Sequence, residues 1–450
     1  MLRDDTIAAI ATAPGNAGIG IIRISGPQAA SILSQVFRPA GHKKEIPDSH
    51  RMVYGWLVDG EEMIDECMSV LMRAPRSYTR EDVAEIQLHG GNYVVSRALD
   101  LCLKTGARLA EAGEFTRRAF LNGRIDLSKA EAVMSLISSR SAQEHKAAVR
   151  QLHGGASSFV RQYSDELYRL QAGLAACIDY PEEISDEEGT AELKTGLIKL
   201  IHELEQAVDE HSSRLIHQGL TIALIGRPNV GKSSLLNALL GEERAIVTDI
   251  PGTTRDTVNG EMILNGIHIR LTDTAGIRKT NDPVEKLGVE RSEKARIESD
   301  ATLLIIDSSE PLTAEDMELL AQFDGKGAII LNKSDLPPII SEDMIHKICP
   351  EAECIAVCAK DHEKIQPLLL FLKRLAAVSD QLALTQPRHL DAVKRAVSHL
   401  KDAYRTLESY TPDLAATDLQ AAQAALSEIT GDNADEKLLD CVFSQFCVGK

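Results

Sequence analysis

No apolar run in these 450 residues approaches the roughly 18 residues that a membrane-spanning helix needs, so a chain that does not cross a membrane is expected. The eight cysteines, Cys67, Cys102, Cys177, Cys349, Cys354, Cys358, Cys441 and Cys447, include no C-x-x-C pair and no histidine-rich partner segment. That argues against a zinc site and a disulfide framework, and most of them read as small core residues. The opening Met1-Leu2-Arg3-Asp4-Asp5 is acidic where a signal or transit peptide is basic and apolar, so the expected compartment is the cytoplasm. There is no internal repeat or low-complexity stretch. Positive charge is also short, with a net charge of −18, although residues 1–120 hold 14 Lys/Arg against 15 Asp/Glu and the deficit lies downstream. Nucleic acid cannot wrap such a surface as a whole. An RNA contact is expected to use local groups, either Arg73, Arg76 and Arg80 or Arg117, Arg118 and Arg124.

What is present is a set of loops for a guanine nucleotide. Gly226-Arg227-Pro228-Asn229-Val230-Gly231-Lys232-Ser233 fits G-x-x-x-x-G-K-[ST], between the apolar β-type run 221–225 and a helical pattern beginning at Ser234. Glycines let backbone N–H groups approach phosphates, Lys232 supplies a point charge to the β/γ-oxygens, and the Ser233 hydroxyl can bind Mg²⁺. Thr253-Thr254, Asp273-Thr274-Ala275-Gly276 and Asn332-Lys333-Ser334-Asp335 follow in order. Asp273 closes the apparent strand 267–271 within reach of the Mg²⁺ shell, and the Gly276 N–H can meet the γ-phosphate. Asp335 can accept from guanine N1–H and the 2-amino group, donors that adenine cannot supply. Cys358-Ala359-Lys360 stands where such GTPases usually carry Ser-Ala-Lys, a change that a backbone contact can survive.

Ile277 occupies the place where Ras-like enzymes carry the Gln that orients the attacking water, so that route is closed. Another polar group or a partner must be recruited, and Asp282, Glu285 and Glu290 are the nearby carboxylates. Arg227 reads as a surface residue, not as an arginine finger. The side-chain carbonyl of Asn229, beside the phosphates, can ligate a monovalent cation where an arginine finger's charge would sit.

The texture changes three times along the chain. Residues 1–120 mix β-branched runs with Gly and Pro turns, as an α+β domain does; 121–218 are helical; 219–375 alternate strands and helices, as a doubly wound α/β P-loop domain does; 376–450 return to helix. The two helical stretches, each with an apolar stripe, are expected to pack on each other, with the nucleotide-binding domain inserted between them.

The chain resembles the tRNA modification GTPases called MnmE or TrmE over nearly all its length. The resemblance is carried by Asp5-Thr6-Ile7-Ala8-Ala9, by Gly20-Ile21-Ile22-Arg23-Ile24-Ser25-Gly26, by Gly113-Glu114-Phe115-Thr116-Arg117-Arg118 through Arg124, by Thr248 through Asp256, and by Phe446-Cys447-Val448-Gly449-Lys450. It implies GTP contacts from Asn229, Val230, Gly231, Lys232, Ser233 and Ser234, from Thr248, Asp249, Ile250, Pro251, Gly252, Thr253 and Thr254, and from Asp273, Thr274, Ala275 and Gly276. Asn332, Lys333, Ser334, Asp335, Cys358, Ala359 and Lys360 complete that set. The resemblance further implies Mg²⁺ on Ser233 and Thr254, K⁺ on Asn229, Thr248, Ile250 and Thr253, and Glu285 as the catalytic residue that orients water. For residues 1–120 it implies a tetrahydrofolate-binding fold that forms a homodimer, with a 5-formyl- or 5,10-methylene-type folate met by Arg23, Glu85, Arg124 and Lys450. Arg124 replaces a Lys that some members carry. Cys447 is a possible functional thiol, for which a docking role ranks above catalysis. The implied activity, shared with an FAD-dependent partner, places an aminomethyl-type or carboxymethylaminomethyl-type group on C5 of the wobble uridine of tRNA. The alternative is a ribosome-assembly or RNA-chaperone GTPase, whose appended G-x-x-G module has no counterpart after residue 375.

Overall fold

The computed structural model describes residues 5–40, 48–180, 186–242, 260–273, 297, 299–379, 382–409 and 412–450. The chain divides into two compact units, Met1–Ile137 with Gln151–Ile201 and Arg395–Lys450, and Ser138–Arg150 with His202–Lys394.

In the first unit, strands β1 (Ile7–Ile10), β2 (Ala17–Ser25), β3 (Phe37–Pro39), β4 (Met52–Asp59), β5 (Glu62–Met72), β6 (Val83–Gly90) and β7 (Arg108–Leu109) form one sheet, ordered β3-β4-β5-β6-β2-β1-β7. Neighbours run antiparallel except for the β1–β7 pair. Strand periodicity decides what each face carries. Ile22 and Ile24 of β2, with Ala84 and Ile86 of β6, join the core under helices Ala29–Val36 and Asn92–Lys104. The alternate residues Arg23 and Glu85, register partners across β2 and β6, therefore share the opposite face.

Helices Gly155–Asp179 and Pro412–Thr430, which flank the nucleotide-binding stretch in sequence, lie against each other. Leu167, Leu174, Leu419 and Leu426 are buried, each such side chain contributing about 1.5–3 kcal/mol. Gln171 Nε2 donates to the Leu419 carbonyl at 3.1 Å, and Gln423 Nε2 to Ser164 Oγ at 3.0 Å.

In the second unit, β8 (Leu220–Ile225), β9 (Gly260–Leu264), β10 (Ile267–Asp273), β11 (Ala301–Asp307), β12 (Gly327–Asn332) and β13 (Glu353–Ala356) form a sheet ordered β13-β12-β11-β8-β10-β9. It is parallel apart from the β9–β10 hairpin. That hairpin turns on Asn265 and Gly266, both at positive φ (52° and 74°), as a tight two-residue turn requires. All of β11 is buried, as befits a central strand covered on both faces. One face packs against helices Lys232–Glu242 and His362–Leu375 through Leu235, Leu239, Leu368 and Leu372; the other meets Leu320, Ile340 and Ile345. The architecture is multidomain: an α+β N-terminal part, α-helical segments and an α/β P-loop part. Among the described residues no helix is long and apolar enough to cross a membrane.

Candidate functional site

Strand β8 lies between β10 and β11, so consecutive connections leave it for opposite sides of the sheet, and a crevice opens beyond its C-terminal end. The loop 226–231 occupies that position. Gly226 leaves the strand at φ 154°, where a Cβ would sit 2.3 Å from the Ile305 carbonyl oxygen. Gly231, at φ 99°, would place a Cβ 2.3 Å from Asn332 Nδ2. Glycine alone fits both places, and helix Lys232–Glu242 starts directly after them. Lys232 is buried and turned inward, its ammonium donating to the Gly226 carbonyl and, at 2.9 Å, to that of Arg227. Asn229, Ser233 and Ser234 are exposed, while Val230 is buried. A bare backbone loop, a helix N-terminus and an inward lysine make an anion cradle of the kind a phosphate chain fits. Arg227 is less exposed than its sequence position indicates. Its Nη2 lies 2.5 Å from Glu310 Oε2, and its Nε lies 3.3 Å from Asp316 Oδ2.

The base-side loop is tied to this cradle. Asn332 closes β12 and donates from Nδ2 to the Val230 carbonyl at 2.8 Å, while its own carbonyl accepts from Ser308 N (3.0 Å) and Ser308 Oγ (2.8 Å). Lys333, at φ 63°, reaches Asp307 Oδ2 at 2.5 Å. Burial opposes ionisation of Asp307, but the Lys333 ammonium and the Ser309 donors outweigh it and hold the carboxyl below the usual carboxylate range. Ser334 N donates to the Val357 carbonyl at 3.1 Å, which links this loop to Cys358-Ala359-Lys360. Asp335 is exposed. Its carboxyl is held below the ordinary value first by a hydrogen bond from the Cys358 thiol, then by its own backbone N–H and by Lys360 and Lys364. Asp307, Glu310 and Asp316 were not singled out from the sequence, where the available signal was an Asp closing an apolar strand run.

Thr248, Asp249, Ile250, Pro251, Gly252, Thr253, Thr254, Thr274, Ala275, Gly276 and Glu285 lie outside the described residues, as does the side chain of Asp273. The Asp273 backbone ends β10 opposite Leu224 of β8, next to the loop.

A second cluster stands on the N-terminal sheet. Arg23 Nε and Glu85 Oε1 are 2.8 Å apart at 16% and 17% exposure, and Arg23 Nη1 donates to the Gly449 carbonyl at 3.2 Å. The guanidinium of Arg23 lies 5.6 Å from the Tyr78 ring centroid and 5.8 Å from that of Phe115; Arg124 lies 4.7 Å from Tyr78. Residues 447–450 are seated by an Ala112–Val448 bridge, a Phe115 N–H to Lys450 carbonyl bond of 3.1 Å, and Gly449 at φ 97°, where a Cβ would meet the Ile10 carbonyl oxygen at 2.2 Å. Burial, then the nearby Arg23, push the Lys450 ammonium below its ordinary pKa, against the pull of Glu85. Arg23, Glu85 and Lys450 are thus neighbours, and Arg124 joins them across the ring it shares with Arg23. Cationic groups and a carboxylate on an aromatic floor suit a flat heterocycle with acidic groups. Tyr78, Phe115 and Gly449 belong to this cluster without having been predicted. Cys447 is exposed.

Most of the arginines considered for RNA already have partners. Arg118 is buried against Asp5, Glu81 and Glu114; Arg117 pairs with Asp440, Arg73 with Asp82, and Arg80 donates to the Asn122 carbonyl.

A parallel sheet whose switch point carries a glycine cradle, a buried lysine and an asparagine–aspartate base loop defines a guanine-nucleotide P-loop protein. Residues 6–124 match the model of the GTP-binding protein TrmE N-terminus, and residues 127–447 match that of the MnmE helical domain. The chain is 43% identical over 459 residues to the tRNA modification GTPase MnmE of Lachnoclostridium phytofermentans, covering 100% of both chains. It is 43% and 44% identical over 465 residues to the proteins of the same description from Clostridioides difficile and Alkaliphilus metalliredigens, again covering 100% of each. The chain belongs to the tRNA modification GTPase MnmE family, and it is a GTP-hydrolysing enzyme.

Proposed function

We propose that this GTPase acts on tRNA, where, with an FAD-dependent partner, it installs an aminomethyl-type or carboxymethylaminomethyl-type group on C5 of the wobble uridine. The observation that carries the reading is that one chain combines the nucleotide cradle with the Arg23–Glu85–Lys450 cluster over Tyr78 and Phe115. Arg23, Arg124 and Lys450 hold the acidic tail of a tetrahydrofolate derivative, and Glu85 accepts from its heterocycle N–H donors. The bound folate supplies the one-carbon unit, and a homodimer of the N-terminal part completes the site.

At the nucleotide, Lys232 and the N–H groups at the start of its helix hold the phosphates. Ser233 and Thr254 bind Mg²⁺; Asn229, with Thr248, Ile250 and Thr253, binds K⁺. Asp335 selects guanine, assisted by Cys358. Glu285 orients the attacking water in place of the glutamine that Ile277 replaces. Hydrolysis then releases the segments at Thr254 and Gly276, so the two nucleotide states favour different conformations and drive opening and closing of the modification complex.

The test is mass spectrometry of tRNA nucleosides from cells lacking the protein, complemented with wild type or Glu285→Ala. Loss of the C5-substituted wobble uridine that only wild type restores is the expected result. Unchanged nucleosides in the deletion would refute the tRNA and folate assignments together.

A further inference from the structure

Three loops around the cradle close into a ring of polar contacts. The P-loop reaches the base loop through the bond from Asn332 Nδ2 to the Val230 carbonyl. The base loop reaches the segment after β11 through Lys333 with Asp307 and Ser308 with Asn332. Among the described residues, that segment returns to the P-loop through the Arg227 side chain, whose Nη2 donates to Glu310 Oε2 and whose Nε stands 3.3 Å from Asp316 Oδ2. Asp316 is 2% exposed and already committed: its Oδ2 accepts from Thr313 N at 3.0 Å and Thr313 Oγ1 at 2.7 Å, in the capping box that starts helix Ala314–Ala321. Of the two carboxylates facing Arg227, Asp316 is therefore fixed to a helix at ion-pair distance, while Glu310, which accepts the hydrogen bond, is exposed.

We infer that Arg227 is a positioning residue, clamping the phosphate-binding backbone to Asp316 and Glu310; this rests on the GTP-site reading above. The chemistry requires such a clamp. Lys232 donates to the carbonyls of Gly226 and Arg227, but phosphate oxygens compete for the same ammonium. When it turns to them, those two carbonyls lose their donor beside an incoming anion, and the loop has reason to reorient. Arg227 holds the same peptide through its hydrogen bond to Glu310 and its ion pair with Asp316. The same pairing removes Arg227 from any role as an arginine finger.

Because the clamp holds one loop shape in both ground and transition states, its loss acts on binding more than on turnover. Arg227→Gln and Asp316→Asn, which keeps the cap acceptor but removes the charge, should each raise the GDP dissociation constant about tenfold, or about 1.4 kcal/mol. The GTP KM should rise similarly, with kcat falling less than twofold. The double variant should match Arg227→Gln alone, since Asp316 acts on the loop through Arg227. Arg227→Lys, retaining charge without the fork, should recover part of the loss. Unchanged GDP affinity in both single variants, additive losses in the double variant, or losses that follow a fallen unfolding temperature would each overturn the clamp. A wild type that binds GDP, beside a Lys232→Ala variant that does not, keeps the GTP-site reading standing whichever way the clamp falls.

Discussion

The two clusters are built on opposite plans. The nucleotide cradle is mostly backbone: glycines at 226 and 231, the start of a helix, and carbonyls tied to neighbouring loops. The N-terminal cluster is mostly side chain: Arg23 and Glu85 from adjacent strands, rings from Tyr78 and Phe115, and a tail from the far end of the chain. A backbone site concentrates its requirements in a few contiguous residues and fails when a Cβ is added. A side-chain site spreads them over the fold and fails when a charge is left unpaired.

The sharpest break on the side-chain plan is Arg118→Ala. Arg118, at 5% exposure, meets Asp5, Glu81 and Glu114, and its removal leaves their charges uncompensated. A loss of about 3–5 kcal/mol in unfolding free energy is expected by chemical denaturation. The same network sets an acid limit. The Arg108 hydrogen bond holds the Asp5 carboxyl low; at Glu114 burial pushes the other way, but Arg108, the Glu111 N–H and Arg118 prevail. Folded-state values below the unfolded ones stabilise above pH of about 4 and lose that stability as pH falls through the folded values. Arg118→Ala should flatten this pH dependence; an equally steep acid transition in the variant would remove Arg118 from it.

On the backbone plan the strongest break is Gly231→Ala. Its Cβ meets the Asn332 amide and its φ is left-handed, so GTP affinity should fall about a hundredfold with the N-terminal unit still folded. Fluorescent-nucleotide titration reads it, and a loss under threefold would mean that the loop adapts. Next in size, Asp335→Asn should weaken GTP about tenfold or more and gain xanthosine triphosphate, whose 2-oxo group suits an amide donor. Competition between the two nucleotides measures this, and an unchanged preference would contradict the base-side assignment. The smallest effect belongs to Arg124→Lys. Losing the guanidinium that lies over the Tyr78 ring should cost about 0.5–1 kcal/mol in binding a tetrahydrofolate derivative, seen by calorimetry. Equal affinity would place Arg124 outside the contact.

Legibility follows the same division. The loops at 226–233 and 332–335 could be placed from sequence because their chemistry is contiguous and lies where apolar strands end. Packing between the helical stretches on either side of the nucleotide-binding part was expected, but the apolar stripe legible in the second stretch, Leu390 to Leu407, lies on helix Pro387–Ser409, whereas the helix that packs on Gly155–Asp179 is Pro412–Thr430. The N-terminal cluster was reached only by resemblance, since nothing local marks Arg23 and Glu85 as partners or Tyr78 as the ring between two guanidiniums. Arg118 misled in the other direction. A basic pair in a row, Arg117-Arg118, gives no sign that one member is buried among carboxylates, because burial is settled by strands and loops distant in sequence.

The bond between Arg23 and the Gly449 carbonyl joins positions 426 residues apart. On a ribosome adding roughly 5–20 residues per second, the N-terminal sheet waits roughly 20 to 90 seconds for the segment that completes it. Through that interval the charged face of β2 and β6 stands without its tail, while the P-loop part is synthesised and can fold in the meantime. The order of manufacture therefore gives a nascent chain its nucleotide-binding part before its N-terminal cluster is complete, and a truncated chain lacking residues 447–450 is expected to keep the former while losing the tail's share of the latter.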